Sequence, residues 1–342
     1  MNESITKTAC FFSSEGESQI MKQQYSLQDI SILTSLGYRV VVCSRLKDIP
    51  FGCDLYFGWW AAGSMLPLLV AKLSRKPIIV VTGGNETLHY QDSISGIKAG
   101  YLATPWYKKL ATQITLKFAD SVLVVSEFMH EGIKKVSKRS TRVVHLSVNT
   151  DTFKPDRRKR EYITTLSAFP ENFVIKRFAV FVEAAAIVKK KFPSQKFLLI
   201  GTEPPKGSNI LRLIDELGLS ENMVFSGHVP NNKVPDLLNS SRCFVYISDT
   251  ETFGVAAVEA MSCNVPLIVS KQGALPEVTG KFGINVDHND SKSVAGAMLE
   301  VLSDFDDESY SSLDSRTFVK EHFSYKKRKK IISSVIATLP GD

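Results

Sequence analysis

The segment from Cys243 to Met261 reads CFVYISDTETFGVAAVEAM, and this stretch decides the fold. It begins with a short apolar run, 243–247, of the kind that forms buried strands. A polar turn follows, and the alanine-rich run 255–261 favours a helix. Because a strand that enters a helix through a short turn is the repeating unit of parallel α/β folds, the stretch predicts a parallel sheet with flanking helices.

Similar short runs rich in β-branched residues alternate with helix-length stretches in the rest of the chain. Two sets of six strands predict an α/β protein with two doubly wound, Rossmann-like domains that face a cleft. In such folds ligands bind at the carboxyl ends of the strands, so we expect the active site between the domains. The predicted strands are 8–12, 39–43, 54–57, 77–82, 121–125, 142–145, 162–166, 196–201, 223–226, 243–247, 266–270 and 283–286.

The two sets of strands are separated by residues 149–160, which are polar, contain a proline and carry many charges. This composition is typical of a domain linker. We therefore predict an N-terminal domain at residues 1–155 and a C-terminal domain at 156–342. The last helical stretch, about 325–339, could pack on either domain.

The overall composition is that of a folded protein. The chain has 342 residues, of which 44% are hydrophobic and 23% charged. No apolar run approaches the roughly 20 residues of a spanning helix, and the N-terminus lacks a signal-peptide pattern, so we expect a cytoplasmic protein. Five scattered cysteines without Cys-x-x-Cys spacing are interpreted as reduced core residues.

Positive charge is concentrated in one part of the chain. The net charge is +7, and residues 98–160 hold fourteen Lys or Arg against five acidic residues. Nucleic acid is not favoured as the partner, because the region lacks aromatic interleaving and groove-reading motifs. An anionic membrane surface fits better, which would make the protein peripheral at the inner face of the membrane, and a solvated basic face explains the charge equally well.

The turn after residue 247 has the chemistry of an anion site. A helix that starts there leaves the backbone N–H groups of Phe253, Gly254 and Val255 available for a diphosphate, and Gly254 has no side chain to block it. Glu259 interrupts the apolar helix one turn later, and a ribose diol would be a suitable partner for its carboxylate. The alternative is that Glu259 lies on a solvated stripe of an ordinary helix.

Glu251 precedes Glu259 by eight residues, and this spacing resembles the Glu-x7-Glu motif of retaining GT-B glycosyltransferases of family 4. The resemblance implies a nucleotide-diphosphate-sugar donor whose sugar contacts Glu251 and whose ribose contacts Glu259. It also implies that the intervening residues contact phosphate and sugar, and these are Thr252, Phe253, Gly254 and Val255.

Further segments are similar to the same family in the same order. The resemblance assigns His228 and Val229, in the loop 226–230, to the base pocket. The other matching segments are 145–155, 199–204, 264–277 and 283–286.

A departing nucleoside diphosphate carries negative charge that needs a metal or fixed cations. Lys176 aligns with the family's diphosphate lysine, although a solvated lysine at a helix start is the plain alternative. The family's glycine after that lysine is Arg177 here, and the arginine expected after the strand 162–166 is missing. Either Arg177 supplies the second cation from a new position, or the donor site is weakened.

We predict no catalytic metal and no cofactor beyond the donor substrate. The sequence Asp304-Phe-Asp306 resembles a metal-binding Asp-x-Asp, but it lies far from the donor loops and more simply caps a helix.

The resemblance implies that the C-terminal domain binds the donor and the N-terminal domain binds the acceptor. Turn residues at strand ends are the best guide to the acceptor side. Family members use the loop that contains Gly16 near the donor phosphate and the loop 83–86 near the reacting sugar. Asn85, Glu86 and His89 are therefore acceptor-side or catalytic candidates, although a lone loop histidine is more often a surface residue.

The resemblance implies a retaining hexosyltransferase that acts in polysaccharide biosynthesis on a glycan, lipid-linked or small-molecule acceptor. Family precedent favours same-face attack assisted by the leaving phosphate, with Lys176 and helix amides stabilising it. Two alternatives stay open: a nucleotide-sugar epimerase of the same fold, and a non-catalytic protein that binds sugar nucleotides or glycans.

Overall fold

The structure is a computed structural model that describes residues 7–84, 88–91, 98–167, 173–303 and 314–340. The chain forms two compact units, one made of Met1–Ser147 with Tyr325–Asp342 and the other of Val148–Ser324. Among the described helices, none combines the length and hydrophobicity that a membrane crossing requires.

The first unit contains a six-stranded parallel sheet in the order β2-β1-β3-β4-β7-β8. The order changes direction between β1 and β3, which places the switch point of this sheet beside the loop that contains Gly16. The strands are β1 Thr8–Ser13, β2 Arg39–Cys43, β3 Leu55–Trp59, β4 Ile78–Thr82, β7 Ser121–Val124 and β8 Arg142–Val143, and β5 His89–Gln91 pairs with β6 Lys98–Gly100 in a separate antiparallel hairpin.

Helices flank this first sheet. The unit includes α1 Glu17–Ile20, α2 Gln24–Ser35, α3 Met65–Leu73, α4 Trp106–Phe118, α5 Glu127–Lys134 and the last helix, α13 Tyr325–Ile336, with short 3-10 turns at Leu46–Asp48 and Tyr101–Ala103. The central strands β3 and β4 are buried along their whole length, as expected for a parallel sheet covered on both faces.

The second unit contains a six-stranded parallel sheet in the order β11-β10-β9-β12-β13-β14. Here the order changes direction between β9 and β12. The strands are β9 Tyr162–Ser167, β10 Lys196–Gly201, β11 Met223–Phe225, β12 Ser241–Tyr246, β13 Leu267–Ser270 and β14 Gly283–Val286.

The helices of the second unit pack on this sheet around a core that includes Phe178, Phe181 and Phe197. They are α6 Phe178–Lys191, α7 Asn209–Glu216, α8 Val234–Asn239, α9 Val255–Ser262, α10 Leu275–Thr279, α11 Ser291–Ser303 and α12 Ser315–His322, with 3-10 turns at Asn231–Lys233 and Gly280–Phe282.

The prediction of two doubly wound parallel sheets is confirmed, and a strand overlaps each of the twelve predicted runs. The β5–β6 hairpin is a difference, because His89 was predicted in a loop and lies in β5, paired with Gly100. Asn85, Glu86 and the Asp304–Asp306 stretch lie outside the described residues.

The predicted domain boundary after residue 155 falls inside the second unit. The segment before it is built into that unit, because the Val148 N–H donates to the Phe323 carbonyl at 2.9 Å. The Ser262 hydroxyl donates to the Phe153 carbonyl at 2.6 Å, and the Phe153 side chain is buried.

The last helix belongs to the first unit and is held there by a buried ion pair. Arg328 Nε and Nη2 donate to the two carboxylate oxygens of Asp29 at 2.7 and 2.8 Å. Its Nη1 donates to the carbonyls of Val144 and His145, both at 2.8 Å. Asp29 also accepts from the indole N–H of buried Trp59 at 3.0 Å.

Candidate functional site

The switch point of the second sheet brings two distant segments together. Strand β9 leads to the segment before α6, which carries Lys176, and the neighbouring strand β12 leads to the turn that carries Glu251. Parallel neighbours present their carboxyl ends at the same sheet edge, so side chains 75 residues apart in sequence meet there.

Lys176, Glu251 and Tyr246 form a closed triangle of polar contacts. Lys176 Nζ lies 2.5 Å from Glu251 Oε2 and 2.6 Å from the Tyr246 hydroxyl, and that hydroxyl donates to Glu251 at 2.8 Å. Lys176 Nζ also lies 4.3 Å from the centre of the Tyr246 ring, within cation–π range. The triangle therefore fixes a cation and a carboxylate side by side.

Both charged groups of the triangle are held in their ionised forms. Burial opposes ionisation of Lys176, but the neighbouring Tyr246 and Glu251 outweigh it and raise the Lys176 pKa. Burial also opposes ionisation of Glu251, yet the charge of Lys176 and hydrogen bonds from Lys176 and Tyr246 lower the Glu251 pKa. Burial raises the Tyr246 pKa, so its hydroxyl keeps its proton.

Arg177 lies next to this triangle but its side chain is paired with another acid. Arg177 Nε donates to Asp249 Oδ1, and His288 Nε2 lies 3.1 Å from the same oxygen. The backbone of Arg177 is left-handed, with φ 45°, a conformation that glycine adopts without strain. Arg177 therefore stands at a position that favours glycine and holds a strained backbone conformation there.

Two glycines shape the turn around Glu251. A Cβ on Gly273 would lie 2.3 Å from the Glu251 carbonyl oxygen, and Gly273 has φ 61°. Gly254, with φ 92°, precedes α9, and a Cβ there would lie 2.7 Å from Leu275 Cδ2. The Ala274 N–H also donates to the Glu251 carbonyl at 2.8 Å, so the two loops are packed backbone against backbone.

Two backbone N–H groups at the start of α9 are available as hydrogen-bond donors. Within the described residues, no hydrogen bond engages the backbone N–H of Gly254 or Val255. These groups therefore match the predicted anion-binding end of a helix. Phe253, whose side chain is buried against Phe323, lies just before them, and Thr252 donates its N–H to Glu251 Oε1 at 3.2 Å.

Glu259 is buried in α9 with 9% of its surface exposed. Its carboxyl group has no hydrogen bond or ion pair to any described residue, and burial raises its pKa from 4.5 to about 8. Glu259 follows the half-buried Val255 by one helical turn, on the same face, and helical side chains lean towards the N-terminus. The helix therefore holds a neutral, unpartnered carboxyl one turn below its free amides.

The remaining predicted residues lie elsewhere in the two units. His228 is exposed and Val229 half-buried after β11, and no contact among the described residues joins them to Lys176 or Glu251. Gly16 lies in the first unit with φ 85° and precedes α1. The His89 side chain is not described, so the acceptor-side assignments of His89, Asn85 and Glu86 stay predictions.

Sequence reasoning missed three residues of the site: Tyr246, Asp249 and His288. Tyr246 gave a weak signal as a hydroxyl-bearing residue at the end of an apolar strand, whereas the His288–Asp249 contact depends on tertiary structure alone. In the described part of the chain, no group of three or more His, Cys, Asp or Glu side chains is arranged to hold a metal ion.

Comparison with known families agrees with this description. The model of the family described as glycosyl transferases group 1 matches residues 149–317, so this segment is similar to that family.

Curated relatives match over different lengths. O-antigen chain mannosyltransferase B of Escherichia coli is 38% identical over 97 residues, which are 28% of this chain and 26% of that protein. The GDP-mannose-dependent alpha-(1-6)-phosphatidylinositol monomannoside mannosyltransferase of Mycolicibacterium smegmatis is 24% identical over 78% of this chain and 76% of its own length. N-acetyl-alpha-D-glucosaminyl L-malate synthase of Bacillus anthracis is 31% identical over 46% of this chain and 40% of its own length. The match with two of these three relatives thus spans less than half of the relative.

Solved structures share the whole two-sheet fold. Sucrose-phosphate synthase from Thermosynechococcus elongatus superposes with a TM-score of 0.77 at 18% identity, covering 97% of this chain and 98% of that one. HepE from Anabaena, in complex with UDP, gives a TM-score of 0.76 at 16% identity, covering 97% and 100%. At these identities the likeness shows the fold alone, and the predicted GT-B fold is confirmed.

Proposed function

We propose that this chain is a retaining glycosyltransferase of the hexosyltransferase type, which moves a sugar from a nucleotide-diphosphate donor to a glycan, lipid-linked or small-molecule acceptor. The observation that carries the proposal is the triangle of Lys176, Glu251 and Tyr246 at the carboxyl ends of β9 and β12. A fixed cation and a fixed carboxylate at a switch point suit a ligand that has both phosphates and hydroxyls.

Lys176 is the group that stabilises the departing diphosphate. Its charge is balanced by Glu251 in the unliganded protein, and a diphosphate at the same edge would take over as the stronger anionic partner. The free N–H groups of Gly254 and Val255 add donors at the positive end of α9. Once Lys176 turns to phosphate, the Glu251 carboxylate is available for hydroxyls of the donor sugar.

Glu259 is the group that recognises the ribose. A buried carboxyl with no partner is unfavourable unless a ligand supplies one, and vicinal hydroxyls provide both donors and acceptors. Its place one turn into α9 puts it beyond the phosphate-binding end of the helix, which is where the nucleoside of such a donor would extend.

The proposed reaction breaks the bond between the sugar's anomeric carbon and the phosphate oxygen, and forms a bond from that carbon to the acceptor oxygen on the same face. The proton of the acceptor hydroxyl goes to the departing phosphate oxygen, so no side-chain base is needed. Lys176 and the α9 amides stabilise the negative charge that develops on the leaving group.

The relatives suggest which donors to test. One relative is named as GDP-mannose-dependent, and the fold relative HepE has been crystallised with UDP and with UDP-glucose. We therefore propose GDP and UDP sugars as the candidate donors, and glycans or lipid-linked sugars as the candidate acceptors.

The test is turnover of GDP-mannose, UDP-glucose and UDP-N-acetylglucosamine with a panel of acceptors, followed by NMR of the anomeric proton in the product. We expect transfer with retained configuration in the wild type and at least a hundredfold loss in Glu251→Gln, because removing one preorganised electrostatic contact costs about that much. EDTA should leave the rate unchanged. An inverted product would contradict the mechanism.

Two other results would assign a different function. Release of free nucleotide with an epimerised sugar and no acceptor requirement would indicate an epimerase. Donor binding by calorimetry, with neither acceptor turnover nor donor hydrolysis, would indicate a binding protein.

A further inference from the structure

Helix α4 carries its large apolar side chains on the face that solvent normally wets. Its buried face is formed by Thr112, Thr115 and Leu116, and the hydroxyls of both threonines are buried without a hydrogen-bond partner among the described residues. Trp106 and Leu110, one turn apart on the opposite face, are 76% and 49% exposed. The core of the first unit does not explain this pattern, because apolar residues of a surface helix normally face inwards.

The exposed apolar surface continues onto α3. Leu69 and Leu73, also one helical turn apart, are 49% and 76% exposed. The two helices pack together, and Lys72 Nζ pairs with Asp120, just after α4, at 2.8 Å. We call this surface the α3–α4 face, and its members are Leu69, Leu73, Trp106, Tyr107, Leu110 and Phe118.

Positive charge lies on and beside the α3–α4 face. Residues 98–119 contain four lysines and no acidic residue. Lys117 lies on the exposed side of α4, with its Nζ 5.3 Å from the centre of the Phe118 ring. A shallow groove next to it is lined by Gln113, Lys117, Val136, Ser137, Lys138 and Arg139, without an acidic side chain.

We propose that the α3–α4 face docks on a bilayer surface that bears anionic phospholipid headgroups. Exposed Trp and Tyr favour the boundary between headgroups and acyl chains, where one part of the ring is apolar and its N–H or O–H stays wet. Lysines around such a face add attraction to anionic lipid. Docking itself does not depend on the transfer reaction. Its consequence, that the enzyme meets its acceptor at the membrane, rests on the proposed function.

The experiment is flotation of the full chain with vesicles of phosphatidylglycerol and phosphatidylcholine, compared with vesicles of phosphatidylcholine alone. We expect binding to the anionic vesicles only, weakened by salt. The chain has three tryptophans, and the exposed Trp106 should shift its fluorescence to the blue, since Trp59 is buried and Trp60 half-buried.

The variant Trp106→Ala with Leu110→Ala should reduce binding by at least about tenfold without changing the melting temperature, because both side chains are exposed. Phe51→Ala is the matched control, since Phe51 is an equally exposed apolar residue of the first unit outside α3 and α4. This control should bind as the wild type does.

Equal binding of the double variant, equal binding to neutral vesicles, or no binding at all would overturn the proposal. So would concentration-dependent dimerisation of the wild type that the double variant abolishes, because the face would then be covered by a second copy. A thermal-shift assay with nucleotide sugars on the same proteins tests the donor site separately from membrane docking. A wild type that binds a nucleotide sugar but no vesicles refutes docking alone, and a wild type that binds anionic vesicles but no nucleotide sugar refutes the donor site alone.

Discussion

At the scale of single residues, Glu259 combines a cost in stability with a proposed role in ribose binding. Its folded pKa is about 8 against an ordinary value of 4.5, so the unfolded chain releases this proton at a lower pH than the folded protein does. The contribution of Glu259 to stability is therefore fully present below pH 4.5 and is lost as pH rises towards 8.

We predict that Glu259→Gln stabilises the unliganded protein near pH 8, by on the order of 4 kcal/mol, because the amide never ionises. Thermal unfolding of both proteins across this pH range measures the difference. The two curves should converge below pH 4.5, and a difference that is independent of pH would contradict the assigned burial of the charge.

Tyr246 positions the two charged groups of the site through its hydroxyl. We predict that Tyr246→Phe lowers kcat by about tenfold while the melting temperature changes little, because the ring, stacked 5.6 Å from Phe244, is retained. Tyr162→Phe in β9 is the matched control, since the Tyr162 hydroxyl has no hydrogen bond within the described residues. A Tyr246→Phe enzyme with the wild-type kcat would refute the positioning role.

At the scale of elements, the turn around Glu251 depends on the glycine that packs against it. We predict that Gly273→Ala lowers stability by about 2 kcal/mol or more and weakens donor binding, because its Cβ would collide with the Glu251 backbone and its φ is 61°. Gly296→Ala in α11 is the opposite control. A Cβ at position 296 would meet open space, so this substitution should raise the free energy of unfolding by about 0.5–1 kcal/mol. Denaturant unfolding and donor titration of both variants measure the two effects, and a Gly273→Ala protein as stable as the wild type would contradict this packing.

The elements themselves were largely predictable, since β-branched apolar runs between helix-length stretches mark buried parallel strands. The β5–β6 hairpin was not, because its strands have three residues each and no alternating pattern. In the site, the spacing of the two acids singled out Glu251 and Glu259, and their roles stay predictions. The contacts of Lys176 with Tyr246 and of Arg177 with Asp249 could not be predicted, because they form only through the pairing of distant strands. The same holds for the contact of His288 with Asp249.

At the scale of the whole molecule, one buried arginine, Arg328, anchors the C-terminal helix α13 to the first unit. Residues 326–330 are five consecutive basic residues, and sequence alone does not tell which of them is buried. The structure buries Arg328 against Asp29 and the ends of β8, which assigns the last helix to the first unit.

We predict that Arg328→Met destabilises the first unit by about 3–5 kcal/mol, because it leaves the Asp29 carboxylate buried without its cation. Lys330→Met on the same helix is exposed and should stay within about 0.5 kcal/mol of the wild type. Thermal unfolding compares the two, and equal melting temperatures would show that the ion pair does not anchor the helix.

The most direct test of the account is a thermal-shift screen of nucleotide sugars against the wild type and Glu259→Ala. The account predicts that at least one GDP or UDP sugar raises the wild-type melting temperature and that the same compound has little effect on the variant, because the ribose loses its partner in α9. A variant that binds the same compound as tightly as the wild type would contradict a donor site at the β9–β12 edge.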